Sequence, residues 1–167
     1  LAMMGAVKPW LAAMTIEVLI MSRLGFDPGR GVEMHLMNKA VQDNKPILGL
    51  ETERQQLEML DGLSEVAQRD MLLQTLAEGS KLADMLDELI DAWRNGDVDY
   101  LQKALLADMR DYRELHKAIL VDRNKDWVGQ IKPLLKKDQD YLIVVGALHL
   151  VGSEGVPTLL RQQGVSV

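Results

Sequence analysis

The chain has no cysteine. Disulfides, thiolate metal centres and a cysteine nucleophile are therefore excluded, while cytoplasm and periplasm both stay open as compartments. It also lacks an excess of positive charge: 25 Asp and Glu stand against 19 Lys and Arg, a formal net charge of −6. No basic stripe appears. The short cluster Lys132, Lys136 and Lys137 lies beside Asp138 and Asp140 and reads as a solvated helix end. Nucleic acid is not an expected partner. Long hydrophobic runs are missing too. The apolar amino-terminal region is interrupted by Lys8, Pro9 and Glu17, and its uncharged stretch Pro9 to Ile16 is too short to span a bilayer. With no basic segment before it, that region does not read as a signal peptide. No transmembrane segment is expected.

Several catalytic signatures are absent. No His or Glu pair has H-E-x-x-H spacing, and no G-x-x-x-x-G-K-[ST] loop occurs. Gly152-Ser153-Glu154-Gly155 does not match a nucleophile elbow, so Ser153 reads as a helix cap.

What remains is a sequence of 167 residues, 47% hydrophobic and 26% charged. This is enough for one domain, 1–167, with a real core. Helical periodicity covers about two-thirds of it, well above the usual share. Helices are expected from Pro9 to about Arg23, Val32 to Gln42, Glu53 to Leu60, Glu65 to Ala77 and Lys81 to Asn95. Thr52-Glu53-Arg54-Gln55 has the form of a capping box. A long helix runs through Tyr112, Leu115 and Ile119 toward Trp127, and Pro133 breaks or kinks it.

Three short apolar runs read as strands: 47–50, 141–146 and 165–167. The expected fold class is therefore α/β, a small, mostly parallel sheet packed by many amphipathic helices. So small a sheet cannot bury so many helical faces. It is expected to be completed by a missing amino-terminal half or by another chain.

The chemistry-bearing residues cluster at strand-to-helix junctions, where ligands bind in open α/β folds. His149 follows the apolar run Tyr141–Val145 in Gly146-Ala147-Leu148-His149 and is a candidate metal ligand or general base. The competing reading is a histidine hydrogen-bonded to its own loop. Glu51 follows Ile47–Leu50 and is a second candidate ligand or base; alternatively it is a favourable charge at a helix N-terminus. Arg123 and Asn124 are candidate substrate-binding groups. Arg123 could clamp a substrate carboxylate or orient Glu51 through a bidentate pair, or the two could simply belong to a solvated face.

Taken in order, these pieces resemble the TraB/GumN/PrgY family, which includes the Tiki proteins. Lys8-Pro9-Trp10 is similar to its KPW helix, and Gly31-Val32-Glu33 to its G-V-D, with Glu33 where Asp is usual. Gly49-Leu50-Glu51-Thr52 with Gln56-Leu57 resembles its L-E-T…Q-L segment. Trp93, Gly96 and Asp97 are similar to its W-x-x-G-D. Arg123-Asn124 with Trp127, and Gly146 through His149 to Gly152, match its R-N and G-x-x-H pieces. The earlier Gly-x-x-His of the family, and the glutamate soon after it, are not present. The chain therefore resembles the carboxyl-terminal part of such a protein.

The resemblance implies a metal-dependent hydrolase, peptidase-like, incomplete as this piece. Divalent Mn, Co or Zn would sit on His149 and Glu51, and a peptide or small molecule would be the substrate. It implies a periplasmic or other extracytoplasmic place. The alternatives are a non-catalytic peptide-binding or haem-binding module, or a helical domain that associates with itself or with its missing half.

Overall fold

The computed structural model describes residues 7–79, 81–106 and 108–167. Nine α-helices lie among them: α1 Pro9–Arg23, α2 Val32–Gln42, α3 Glu53–Asp61, α4 Glu65–Glu78, α5 Leu82–Asn95, α6 Val98–Leu106, α7 Arg113–His116, α8 Arg123–Leu134 and α9 Val156–Gln162. A π-helical segment, Lys117–Asp122, joins α7 to α8. No described helix is long and apolar enough to cross a membrane.

The expected α/β fold is overturned. The described residues form no strand and no sheet. Segments 47–50, 141–146 and 165–167 contain no strand. A strand needs a neighbour to take its N–H and C=O groups, and none of the three segments pairs with another. Their side chains tell the same story. Leu48 is 81% exposed and Leu142 is 77% exposed, which a strand buried between helical layers would not allow. Each run instead sends one apolar residue into a helical core. Leu50, Val145 and Val165 pack against Trp127, Val128, Ile131, Val156 and Leu160. In each run the packing of that one residue, not strand pairing, is what the structure keeps.

Local chemistry sets the helix boundaries. Pro9 occupies the first turn of α1, where its missing N–H costs nothing. Thr52 and Gln55 close a reciprocal capping box on α3. The Gln55 amide donates to Thr52 Oγ1 at 3.2 Å, and the Thr52 amide donates to Gln55 Oε1 at 2.8 Å. Gly96 ends α5 in the left-handed conformation, φ 68°, and Asp97 accepts from the Tyr100 amide at 3.0 Å to start α6. The sequence expectation fails at Ser153, since α9 begins later and its N-cap is Gly155.

Helix α1 packs along α4. Ala13 and Ala67 are both buried and small enough to let the two backbones approach. Trp10, Leu60, Leu63, Met71 and Leu115 fill the rest of that core. The Trp10 indole N–H and the Lys8 ammonium both donate to Asp61 Oδ1, tying the start of α1 to the end of α3. Glu114 of α7 accepts from both the Ser64 amide and the Ser64 hydroxyl, at 2.7 and 2.6 Å, and so anchors the start of α4. These contacts hold α1, α3, α4 and α7 in one core, and the π-helical segment that packs on it leads the chain into α8. A third core, with Ala92, Leu101 and Val151, holds α5 and α6 beneath the turn that follows His149.

Candidate functional site

Three local structures deliver the site. Glu51 sits just before α3, at the end of the extended run, where Gln130 Nε2 pins the Leu50 carbonyl at 3.0 Å. Arg123, Asn124 and Trp127 come from the first turns of α8. Arg123 and Trp127 are four residues apart and share a face. His149 lies in a 3-10 turn, Ala147–Leu150, that Gly146 opens; its amide donates to the Gly146 carbonyl at 2.9 Å. Gly152 follows with φ +79°, and a Cβ there would lie 2.9 Å from Leu106 Cδ1. The backbone conformation favours glycine at that position, and a side chain there would also make the tip of Leu106 shift.

The structure brings Glu51, Arg123, Asn124 and His149 together. Arg123 Nε lies 2.9 and 3.1 Å from the two carboxylate oxygens of Glu51, and Arg123 Nη2 donates to Oε2 at 2.9 Å. Trp127 Nε1 donates to Glu51 Oε1 at 3.0 Å, and Gln56 Nε2 reaches Oε2 at 3.3 Å. Burial pushes the Glu51 carboxyl up, but the hydrogen bonds and charge of Arg123, with Gln56 and Trp127, outweigh it and hold it below its ordinary value.

The other edge of the guanidinium faces the imidazole. Arg123 Nη1 lies 3.4 Å from His149 Nε2 and donates to the Ile119 carbonyl at 3.2 Å. Arg123 Cζ stands 4.8 Å from the centre of the Trp127 ring, and the Trp127 and His149 rings are 4.4 Å apart, tilted by 47°. His149 is 7% exposed. Burial and then the charge of Arg123 lower its pKa to about 4, against a smaller opposing pull from Glu51, so the ring is neutral at pH 7. Asn124 is fully buried, with Nδ2 donating to the Glu154 carbonyl at 2.7 Å and Oδ1 2.7 Å from His149 Nδ1.

Sequence reasoning did not pick out Trp127, Gln56 or Glu154 as parts of this cluster. The i, i+4 spacing of Trp127 from Arg123 was the available signal. Gln56 stood beside Glu51 in the L-E-T…Q-L piece without being assigned a role, and Glu154 carries no signal, because its part depends on where separate segments meet. His116 is partly buried and its Nε2 meets Glu154 Oε2 at 3.3 Å, so it sits at the edge of the same network.

A pocket of about 220 Å³ opens beside the pair, lined by Glu51, Gln55, Gln56, Met59, Asp122 and Arg123 among others. His149 is not among its lining residues. The donor set does not fit the divalent metal implied by the resemblance. Glu51 and His149 supply two donors, the Arg123 guanidinium stands between them, and no group of three or more His, Asp or Glu able to hold a metal occurs among the described residues.

The TraB/PrgY/gumN family model matches residues 1–167. Two curated relatives are YbaP, an uncharacterized protein of Escherichia coli (strain K12), and YbaP of Shigella flexneri. Each is 26% identical over 152 residues, covering 91% of this chain and 56% of the relative. The chain thus spans just over half the length of these relatives. No solved structure matches it. A match along its whole length places the chain in the TraB/PrgY/gumN family, to which it belongs.

Proposed function

We propose that the cluster is a hydrolytic site acting on a peptide or a similar acyl bond. The observation that carries this reading is the single guanidinium shared by a carboxylate and a neutral imidazole from separate segments. The pocket beside Glu51 and Arg123 receives the substrate. Arg123 has five N–H donors, and four are engaged with Glu51, Ile119 and His149. One N–H on Nη2 remains for a carbonyl oxygen.

The Nη1 contact to His149, at 3.4 Å, is longer than an ordinary hydrogen bond and is readily given up to a developing oxyanion. His149 lies outside the pocket lining, and its Nε2 lone pair is freed only as Nη1 turns to the oxyanion; it then accepts the proton of the attacking water and passes it to the leaving group. Glu51 keeps the guanidinium in place. Because the donor set does not fit a metal, no step is routed through one.

The test is incubation of the intact natural protein carrying this sequence with a mixed peptide pool, read by mass spectrometry. Products are expected from wild type and not from His149→Gln or Arg123→Gln. Peptide capture without any product overturns hydrolysis and leaves a binding module.

A further inference from the structure

We propose that Asn124 is a positioning residue that fixes the tautomer of His149, leaving the Nε2 lone pair turned toward Arg123. The inference draws its functional weight from the hydrolytic reading, but its physical basis is separate.

The argument starts from what each partner can do. A backbone carbonyl only accepts. The Asn124 atom 2.7 Å from the Glu154 carbonyl must therefore be the amide nitrogen, which donates. That choice places Oδ1 toward His149 Nδ1 at 2.7 Å, and Oδ1 only accepts. The proton of the neutral ring is then on Nδ1. The far side of the ring agrees, because a guanidinium has no acceptor: Arg123 Nη1 can meet Nε2 only as a donor to its lone pair. Two independent partners, on opposite edges of one imidazole, demand the same tautomer.

Asn124 is suited to this work by its surroundings. It is one of the largest fully buried side chains, and both ends of its amide are engaged. Its orientation cannot be reversed without setting two carbonyl oxygens against each other and two donors together at His149. The Glu154 carbonyl that holds it belongs to the loop that continues from the His149 turn. His149 and the group that orients it are thus both tied to one short stretch of chain. The arrangement parallels the way a carboxylate or carbonyl on one ring nitrogen selects the reactive one elsewhere.

The experiment is nitrogen-15 NMR of the histidine rings in the intact natural protein at pH 7. Wild type is expected to show His149 with Nδ1 protonated and its proton slow to exchange with solvent. Asn124→Ala is expected to lose that slow exchange by about tenfold or more. Asn124→Asp still accepts from Nδ1 but sets an oxygen against the Glu154 carbonyl, so it is expected to keep the Nδ1 tautomer with exchange between those of wild type and Asn124→Ala. In turnover, Asn124→Ala lowers kcat with KM little changed. A wild-type spectrum with Nε2 protonated overturns the inference, as does unaltered exchange in Asn124→Ala. If Asn124→Ala fails to fold, the tautomer of the wild-type ring still decides. The right tautomer without hydrolysis would defeat only the proposed function, and hydrolysis with the opposite tautomer would defeat only this inference.

Discussion

Glu51 and Arg123, 72 residues apart, form a bidentate ion pair in which both carboxylate oxygens are used. The side chains are 12% and 20% exposed, so the pair is partly withdrawn from water without being sealed. Removing one partner leaves the other poorly solvated. Arg123→Ala is expected to cost about 2 kcal/mol, below the range for a fully buried pair. Arg123→Lys recovers only part of this, because an ammonium cannot match the planar fork. Urea denaturation of the three proteins measures it, and equal stability of wild type and Arg123→Ala contradicts the assigned importance of the pair.

The site's share of the pH dependence of stability follows from the lowered pKa values of His149 and Glu51. His149 ionises at about 4 in the folded chain, against an ordinary value of 6.5. The unfolded chain therefore binds more protons between those values, and the contribution of His149, complete above pH 6.5, is lost as pH falls toward 4. Glu51 adds to this. Its folded pKa is also lowered, so its contribution is present above the unfolded value and disappears as pH drops through the folded one. Acid titration followed by helix content should show this loss, with a smaller slope above pH 4 in His149→Gln. NMR titration that places His149 near 6.5 would contradict the burial argument.

Trp127 does two things that different substitutions separate. Trp127→Phe keeps a ring in the core but loses the indole N–H on Glu51, at a cost of about 1 kcal/mol. Trp127→Ala also empties space beside Val128, Ile131, Val156 and Leu160, and should cost about 3–5 kcal/mol. Thermal melts compare the two, and equal losses would mean that the packing of the ring adds nothing beyond its hydrogen bond to Glu51.

Gly152→Ala combines a positive φ with a 2.9 Å approach to Leu106. A loss of about 1–2 kcal/mol is expected. Gly96→Ala, with a similar φ but open space around it, should lose less. The difference between their melting temperatures reads the steric part alone.

Much of the helical layout was legible in the sequence because capping and stop signals are local. Thr52 with Gln55, Pro9, Gly96 and Asp97 all act within a turn of themselves. The strands were misread because Leu50, Val145 and Val165 are apolar for a reason that one sequence does not distinguish from pairing: they cover Trp127 and Ile131. At the site, Glu51 and His149 stood out by their place after apolar runs. That Asn124 faces inward could not be read from its neighbours Asp122, Lys125 and Asp126, which suggest an exposed surface. A helical turn carries both kinds of residue, and only the packing of α8 shows which face is inside.

The widened π-helical stretch Lys117–Asp122 immediately precedes Arg123. Each residue added to or taken from a helix rotates everything after it by about 100°. In this i→i+5 stretch one deletion between 117 and 122 can be absorbed by reverting to α-helical geometry, whereas deleting two would leave Arg123, Asn124 and Trp127 unaltered in identity yet swing them away from Glu51 and His149. The aim of these three groups is therefore set by a count of residues, and an enlarged coil of six non-catalytic amino acids serves as the spacer that points them.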